Sequence, residues 1–199
     1  MNHLCHIFLS QDHDDLLFGN FIGDMIHPIE KADLPEMIKK GIKLHYFIDS
    51  SIDTHPVYRS GIQLLRATQK KYSPVVIDIF YDFLLMDNWK EYSTLDYKEF
   101  RFGIYNKLAM ANPFKSDHRL FQRIQNMIQK DFLSSYESSE TIPQVFSFLK
   151  RRASFENNFD SALQDYHRLY PQLQIQFSEV FPEMIQKVAN FKESLLKES

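Results

Sequence analysis

One cysteine, five glycines and eight prolines are all that this 199-residue sequence holds of the residues that staple a chain or break its regular structure. The single thiol, Cys5, excludes an intramolecular disulfide, and a chain of this length can bury a core without covalent or metal staples. The scarcity of Gly and Pro argues against a loop-rich or many-turned β protein. There is no long apolar run and no basic-then-apolar leader, so a soluble, cytoplasmic protein with no membrane association is expected. A net charge of −3 gives no general attraction for nucleic acid, whose sequence-independent binding depends on many Lys and Arg contacts to phosphate. The signatures G-x-S-x-G, H-E-x-x-H and a Gly-rich phosphate loop are missing too. With no internal repeat, low-complexity tract or linker, one domain over residues 1–199 is expected.

What is present is helical and aromatic: 44% hydrophobic residues, with 18 Phe and 10 Tyr. Periodicity and capping predict helices over 15–26, 33–53, 58–72 and 74–89. Weaker patterns predict further helices over 94–111, 117–132, 140–152, 155–170 and 172–197. The fold class is therefore all-α, a single-domain helical bundle, with 74–89 apolar nearly all round and so its most buried helix.

Two of these helices carry polar residues where apolar ones belong. In GIKLHYFIDSSIDTHP, residues 41–56, His45 shares a face with Leu34, Ile38, Ile42 and Ile52, within roughly 60° at about 100° per residue. Asp49 lies one turn further, inside the same apolar sector. In VVIDIFYDFLLMDNW, Asp78 and Asp82 are four residues apart, which puts their Cβ atoms roughly 5–6 Å apart on one helix face. Two carboxylates in a poorly solvated setting need positive charge from elsewhere, or one stays protonated. A divalent metal would meet that need. The plain structural reading instead has Asp78 cap a neighbouring helix and Asp82 pair with a base such as Arg59 or Arg66.

Asn20 and Asp24 repeat the four-residue spacing near Gly19 and Gly23, which permit close backbone approach. His3 and His6 come from the opening MNHLCH, and Asp53 and His55 from SSIDTHP. Oxygen and imidazole donors without a thiolate cluster favour Mn²⁺, Mg²⁺, Fe²⁺ or Zn²⁺. Cys5 reads as a small buried residue, and His13, His27, His118 and His167 as surface. The basic runs 66–71 and 150–152 read as solvated faces first, and as sites for a phosphate or an acidic protein second.

With MNHLCH, GNFIGD at 19–24, GIKLHYFIDSSIDTHP at 41–56 and DIFYDFLLMDNW at 78–89 in this order, the chain resembles the acyl carrier protein phosphodiesterase family. That family is itself similar to the HD-domain metal-dependent phosphohydrolases. The resemblance continues more weakly through KDFLSSY at 130–136 and KRR at 150–152. It implies an HD-domain-like fold, a divalent metal, usually Mn²⁺, and hydrolysis of the phosphodiester joining 4′-phosphopantetheine to a serine of holo acyl carrier protein. Carried over by position are His6, Asp24, His45, Asp49, Asp53, His55, Asp78 and Asp82. The metal would be held by Asp24, His45, Asp49, Asp78 and Asp82, with His6, Asp53 and His55 as catalytic groups. Acyl carrier protein would dock on Arg66, Lys70, Lys71, Arg151 and Arg152. The chain departs from the family at Phe83, where a histidine is common, and at Tyr46, where an arginine is usual. The rival readings are a relative that binds the carrier protein without turnover and a hydrolase of small phosphate esters.

Overall fold

The computed structural model describes residues 1–197, and among them every regular element is a helix. In chain order these are α1 (His3–Ser10), α2 (Asp14–Ile22), α3 (Glu36–Asp53), α4 (Pro56–Gln69), α5 (Ser73–Asp87), α6 (Trp89–Tyr92), α7 (Tyr97–Met110), α8 (Arg119–Gln129), α9 (Ile142–Lys150) and α10 (Ala162–Lys197). Short 3₁₀ turns stand between some of them, notably Pro28–Lys31, Lys70–Tyr72 and Phe132–Tyr136. The all-α expectation holds.

α5 runs through the middle of the core as its composition requires. Val76, Ile77, Ile79, Phe80, Tyr81, Phe83, Leu84 and Leu85 are all buried. Each such side chain contributes roughly 1.5–3 kcal/mol by leaving water. Phe80 and Phe83 meet Tyr166 of α10 edge to face, at ring separations of 5.1 and 6.1 Å.

Three expectations need correction. The opening residues, read only as donors, form helix α1. The expected pair of helices over 155–170 and 172–197 is one helix, α10, which runs through Pro171 and Pro182. A proline removes one backbone donor and crowds the carbonyl four residues back, a penalty of about 3 kcal/mol. The buried series Leu169, Leu173, Phe177, Val180, Phe181, Met184 and Val188 keeps a helical spacing across both prolines, and its packing outweighs that penalty. The helix expected over 58–72 ends at Gln69, because Lys70 takes a positive φ of 50° and the chain continues as a 3₁₀ turn.

α2 and α3 cross with almost no space between them. A Cβ added to Gly19 would come 2.8 Å from the Gly41 Cα, so the two backbones touch directly. An added Cβ at Gly23 would overlap the His45 ring. The close approach read from Gly19 and Gly23 is therefore realised, and it sets the end of α2 against the middle of α3.

Candidate metal centre

Four side chains from three segments converge where α1, α2 and α3 meet. His6 comes from α1, Asp24 from the turn after α2, and His45 and Asp49 from successive turns of α3. The His6 and His45 rings lie 4.5 Å apart and tilted by 33°. Donor atoms of His6, His45 and Asp49 lie within 4.8 Å of one another.

His6 is oriented from behind. The Asn20 amide nitrogen donates to the His6 carbonyl oxygen at 2.8 Å and to Ser10 Oγ at 2.9 Å. That leaves Asn20 Oδ1 as acceptor for His6 Nδ1 at 2.8 Å. Because an amide oxygen can only accept, Nδ1 carries the proton and Nε2 is the atom turned toward Asp49 Oδ1, 3.0 Å away. An imidazole whose far nitrogen donates to a carbonyl is the usual arrangement behind a metal ligand.

His45 is buried, and neither of its ring nitrogens makes a hydrogen bond. Its Nε2 nevertheless lies 3.0 Å from Asp24 Oδ1 and 3.2 Å from Asp49 Oδ2. Two carboxylates thus crowd a buried nitrogen off the hydrogen-bonding direction, which is how donor atoms sit when they share a cation. This orphaned nitrogen and the mixed imidazole and carboxylate donors fit a divalent ion.

The electrostatics agree. His45 beside Asp24 holds that carboxyl below the usual range. Burial pushes Asp49 up, but its contact with His6 and the nearby imidazoles more than offset this, and its carboxyl ends below the usual range. Both groups therefore favour the ionised form that coordinates.

The two carboxylates of α5 have other partners. Asp82 accepts from the backbone N–H of Leu4 and of Cys5, both at 3.0 Å. It caps the N-terminus of α1, whose own Asn2 makes no capping bond. Burial raises the Asp82 carboxyl above its ordinary value despite these donors. Asp78 pairs with the buried Met1 amino group at 2.7 Å and accepts a short hydrogen bond from the Tyr58 hydroxyl. The plain reading of this pair had the roles reversed: Asp82 is the cap and Asp78 the ion-pair partner, and neither uses Arg59 or Arg66. Tyr58 had no motif to announce it.

Asp53, one turn beyond Asp49, is held above the usual carboxylate range by burial and by Asp78. His55 turns away toward α10, its Nε2 3.3 Å from Glu183. Phe83 points into the aromatic core, its ring 5.4 Å from that of Tyr136, away from the imidazole pair. Tyr46 accepts a short hydrogen bond from Lys31, whose ammonium also lies 4.6 Å from the Tyr46 ring centre, so a cation stands beside this position.

The basic residues expected to dock a partner divide. Arg66 lies in the last turn of α4 and Lys70 and Lys71 just beyond it, so Lys70 and Lys71 are some 21 Å of helix away from His55 at about 1.5 Å per residue. Arg151 packs over Phe148, and Arg152 lies in the field of Arg123 on α8. Of the histidines read as surface, His13, His27 and His118 cap helical turns with Nδ1, accepting from Leu16, Ile29 and Leu120. His167 is exposed, and Cys5 is buried as expected.

Among the described residues no helix is long and apolar enough to cross a membrane. No solved structure matches the chain significantly. The chain is 25% identical over 191 residues to the acyl carrier protein phosphodiesterase of Klebsiella pneumoniae strain 342, covering 96% of this chain and 98% of that one. It is 24% identical over 193 residues to the protein of that name from Photorhabdus laumondii, covering 96% of each. The Escherichia coli O6:H1 protein of that name is 22% identical over 190 residues, covering 95% of this chain and 98% of its own. The family model described as acyl carrier protein phosphodiesterase matches residues 1–184. The chain belongs to the acyl carrier protein phosphodiesterase family.

Proposed function

We propose that this protein hydrolyses the phosphodiester that joins 4′-phosphopantetheine to a serine of holo acyl carrier protein, using a divalent cation held by His6, His45, Asp49 and Asp24. The observation that carries the reading is the buried His45 imidazole, which faces two carboxylates without a hydrogen bond while Asn20 turns the neighbouring His6 toward the same point. When bound, the ion, Mn²⁺ by family resemblance, supplies charge neutralisation at phosphorus and a bound water of lowered pKa.

The chain's own residues do the rest. Asn20 fixes the His6 tautomer, and Asp49 spans both imidazoles with its two oxygens. Asp24 is the solvent-facing member, with its side chain 77% exposed, so substrate enters on its side. Asp82 and Asp78 act at one remove: the first anchors α1, and the second is held by Met1 and Tyr58. Asp53 is the carboxyl that would hand a proton to the departing serine oxygen; its raised pKa, one helical turn from Asp49, supports that role because it keeps a larger protonated fraction than an ordinary aspartate. The scissile bond lies at the carrier protein's surface, so that protein must dock around the Asp24 side. This favours Arg152 over Arg66, Lys70 and Lys71.

The test is intact-mass measurement of holo acyl carrier protein incubated with the purified enzyme and Mn²⁺. Loss of the prosthetic group, abolished by chelator and by His45→Gln, is the expected result. A metal-loaded protein that leaves the holo form intact overturns the proposal.

A further inference from the structure

An open groove of about 610 Å³ leads away from Asp24, lined by the segment 25–30 and by Arg119 at the start of α8. Arg119 is fully engaged there, donating to the Met25 carbonyl oxygen at 3.2 Å and pairing with Glu30 at 2.5 Å. One turn on, Arg123 occupies the same face of α8. The two arginines differ in one respect. Arg123 is half-buried and has no carboxylate partner among the described residues, whereas the buried Arg101 pairs with both Asp131 and Glu137.

The neighbours of Arg123 sharpen the contrast. Burial, then Arg152, then Arg119 hold its guanidinium below its ordinary pKa, and whereas Arg119 has Glu30 as a counter-charge, Arg123 has no carboxylate partner among the described residues. Arg123 also acts electrostatically on His3, whose ring lies 5.6 and 6.0 Å from those of Phe21 and Phe132. His3 also lies in the fields of His6, His45 and Asp24. It is held down to about 4, by burial first and then by His6 and Arg123, so it brings no charge of its own at neutral pH. His3 thus lies within the electrostatic reach of both Arg123 and the imidazole and carboxylate cluster.

We propose that Arg123, with Arg119 and Arg152 as like-charged neighbours, is the substrate-binding residue that takes a non-bridging phosphate oxygen on the open side of the His6–His45–Asp49 cluster. This rests on the phosphodiesterase reading. A planar guanidinium matches two phosphate oxygens with parallel N–H donors; Arg119 is already held by Met25 and Glu30, and Lys31 is a single ammonium held by Tyr46. An anion is also the one ligand that relieves the crowding of Arg119, Arg123 and Arg152, so binding and local stability change together.

The experiment is calorimetric titration of the purified protein with inorganic phosphate, beside steady-state hydrolysis of holo acyl carrier protein, for wild type, Arg123→Gln, Arg123→Lys and the distant Arg66→Gln. Arg123→Gln is expected to weaken phosphate binding at least tenfold, about 1.4 kcal/mol, and to raise KM. Arg123→Lys should recover part of that loss, and Arg66→Gln should stay within twofold of wild type. The Tm of Arg123→Gln should equal or exceed that of wild type, because a repelled cation has been removed. Wild-type protein that binds no phosphate overturns the inference, and so does Arg123→Gln that binds it normally. Should Arg123→Gln fail to fold, Arg123→Lys decides: it must bind phosphate measurably more weakly than wild type at unchanged Tm, and equal binding overturns the inference. Phosphate binding is read without turnover. Binding through Arg123 with holo carrier protein left intact would sink the phosphodiesterase reading alone, and turnover with phosphate affinity unaltered in Arg123→Gln would sink this inference alone.

Discussion

Replacing Asp82 with alanine removes the sole side-chain cap of α1 among the described residues and tests whether this carboxylate is a cap or a metal ligand. Two backbone donors, Leu4 N–H and Cys5 N–H, lose an acceptor at 3.0 Å, and both residues are fully buried, so water cannot take its place. Each orphaned donor costs about 1–3 kcal/mol, or about 2–6 kcal/mol for the two. Alanine also relieves the burial of a carboxylate whose pKa is already raised by that burial, which trims the loss toward the lower half of the range. The expected destabilisation is about 2–4 kcal/mol. Asp82→Asn keeps one oxygen for the same donors and should cost about half as much. The assay is urea unfolding of chelator-treated protein followed by far-UV circular dichroism. Because His6 rides on α1, metal affinity should fall along with stability in the alanine variant. A stability loss below about 1 kcal/mol together with lost metal would refute the capping argument and make Asp82 a ligand.

Four further outcomes are expected. Asn20→Ala frees the His6 ring and should lower metal affinity about 10–100-fold, by inductively coupled plasma analysis after dialysis against graded metal. Gly19→Val drives a side chain into the α3 backbone and should cost at least about 1–3 kcal/mol or abolish soluble expression, with Tm as the readout. Phe83→His should destabilise the protein by about 1–3 kcal/mol in thermal unfolding without raising metal content, because it puts an imidazole among Tyr136 and Tyr166 instead of at the cluster. In the metal-free protein Asp24 and Asp49 have lowered folded pKa values, so their stabilisation is complete above the ordinary value of 3.8 and is lost as pH falls through the folded values. Acid titration of Asp49→Asn should therefore show a shallower loss of stability below that point than wild type. An identical slope would count against the His6–Asp49 contact.

Much of the fold could be read from local pattern, and the exceptions share a cause. α3 and α5 announce themselves by periodicity and by Pro at or before the first turn, and they run almost as expected. α1 could not be read, because its cap comes from a residue 78 positions away. α10 was cut at Pro171 because local propensity says nothing of the packing that carries the helix through it. At the site, the four-residue spacing of His45 and Asp49 and that of Asn20 and Asp24 identified residues that do converge. The equal spacing of Asp78 and Asp82 looked the same on paper. What separates them is the partner each carboxylate meets, namely an amino group and a tyrosine for one and a helix end for the other. Spacing on one helix cannot encode that.

The crossing of Gly19 over Gly41 has a consequence for how such a protein can drift. Where two backbones rest on each other, the gap between the Asp24 turn and the His45 turn is set by main-chain atoms, and no choice of neighbouring side chains enters it. Core residues elsewhere can then be exchanged, shrunk or enlarged while this fulcrum keeps the donor atoms at one separation. A chain that shares only about a quarter of its residues with the Klebsiella protein could in this way preserve the spacing on which coordination depends.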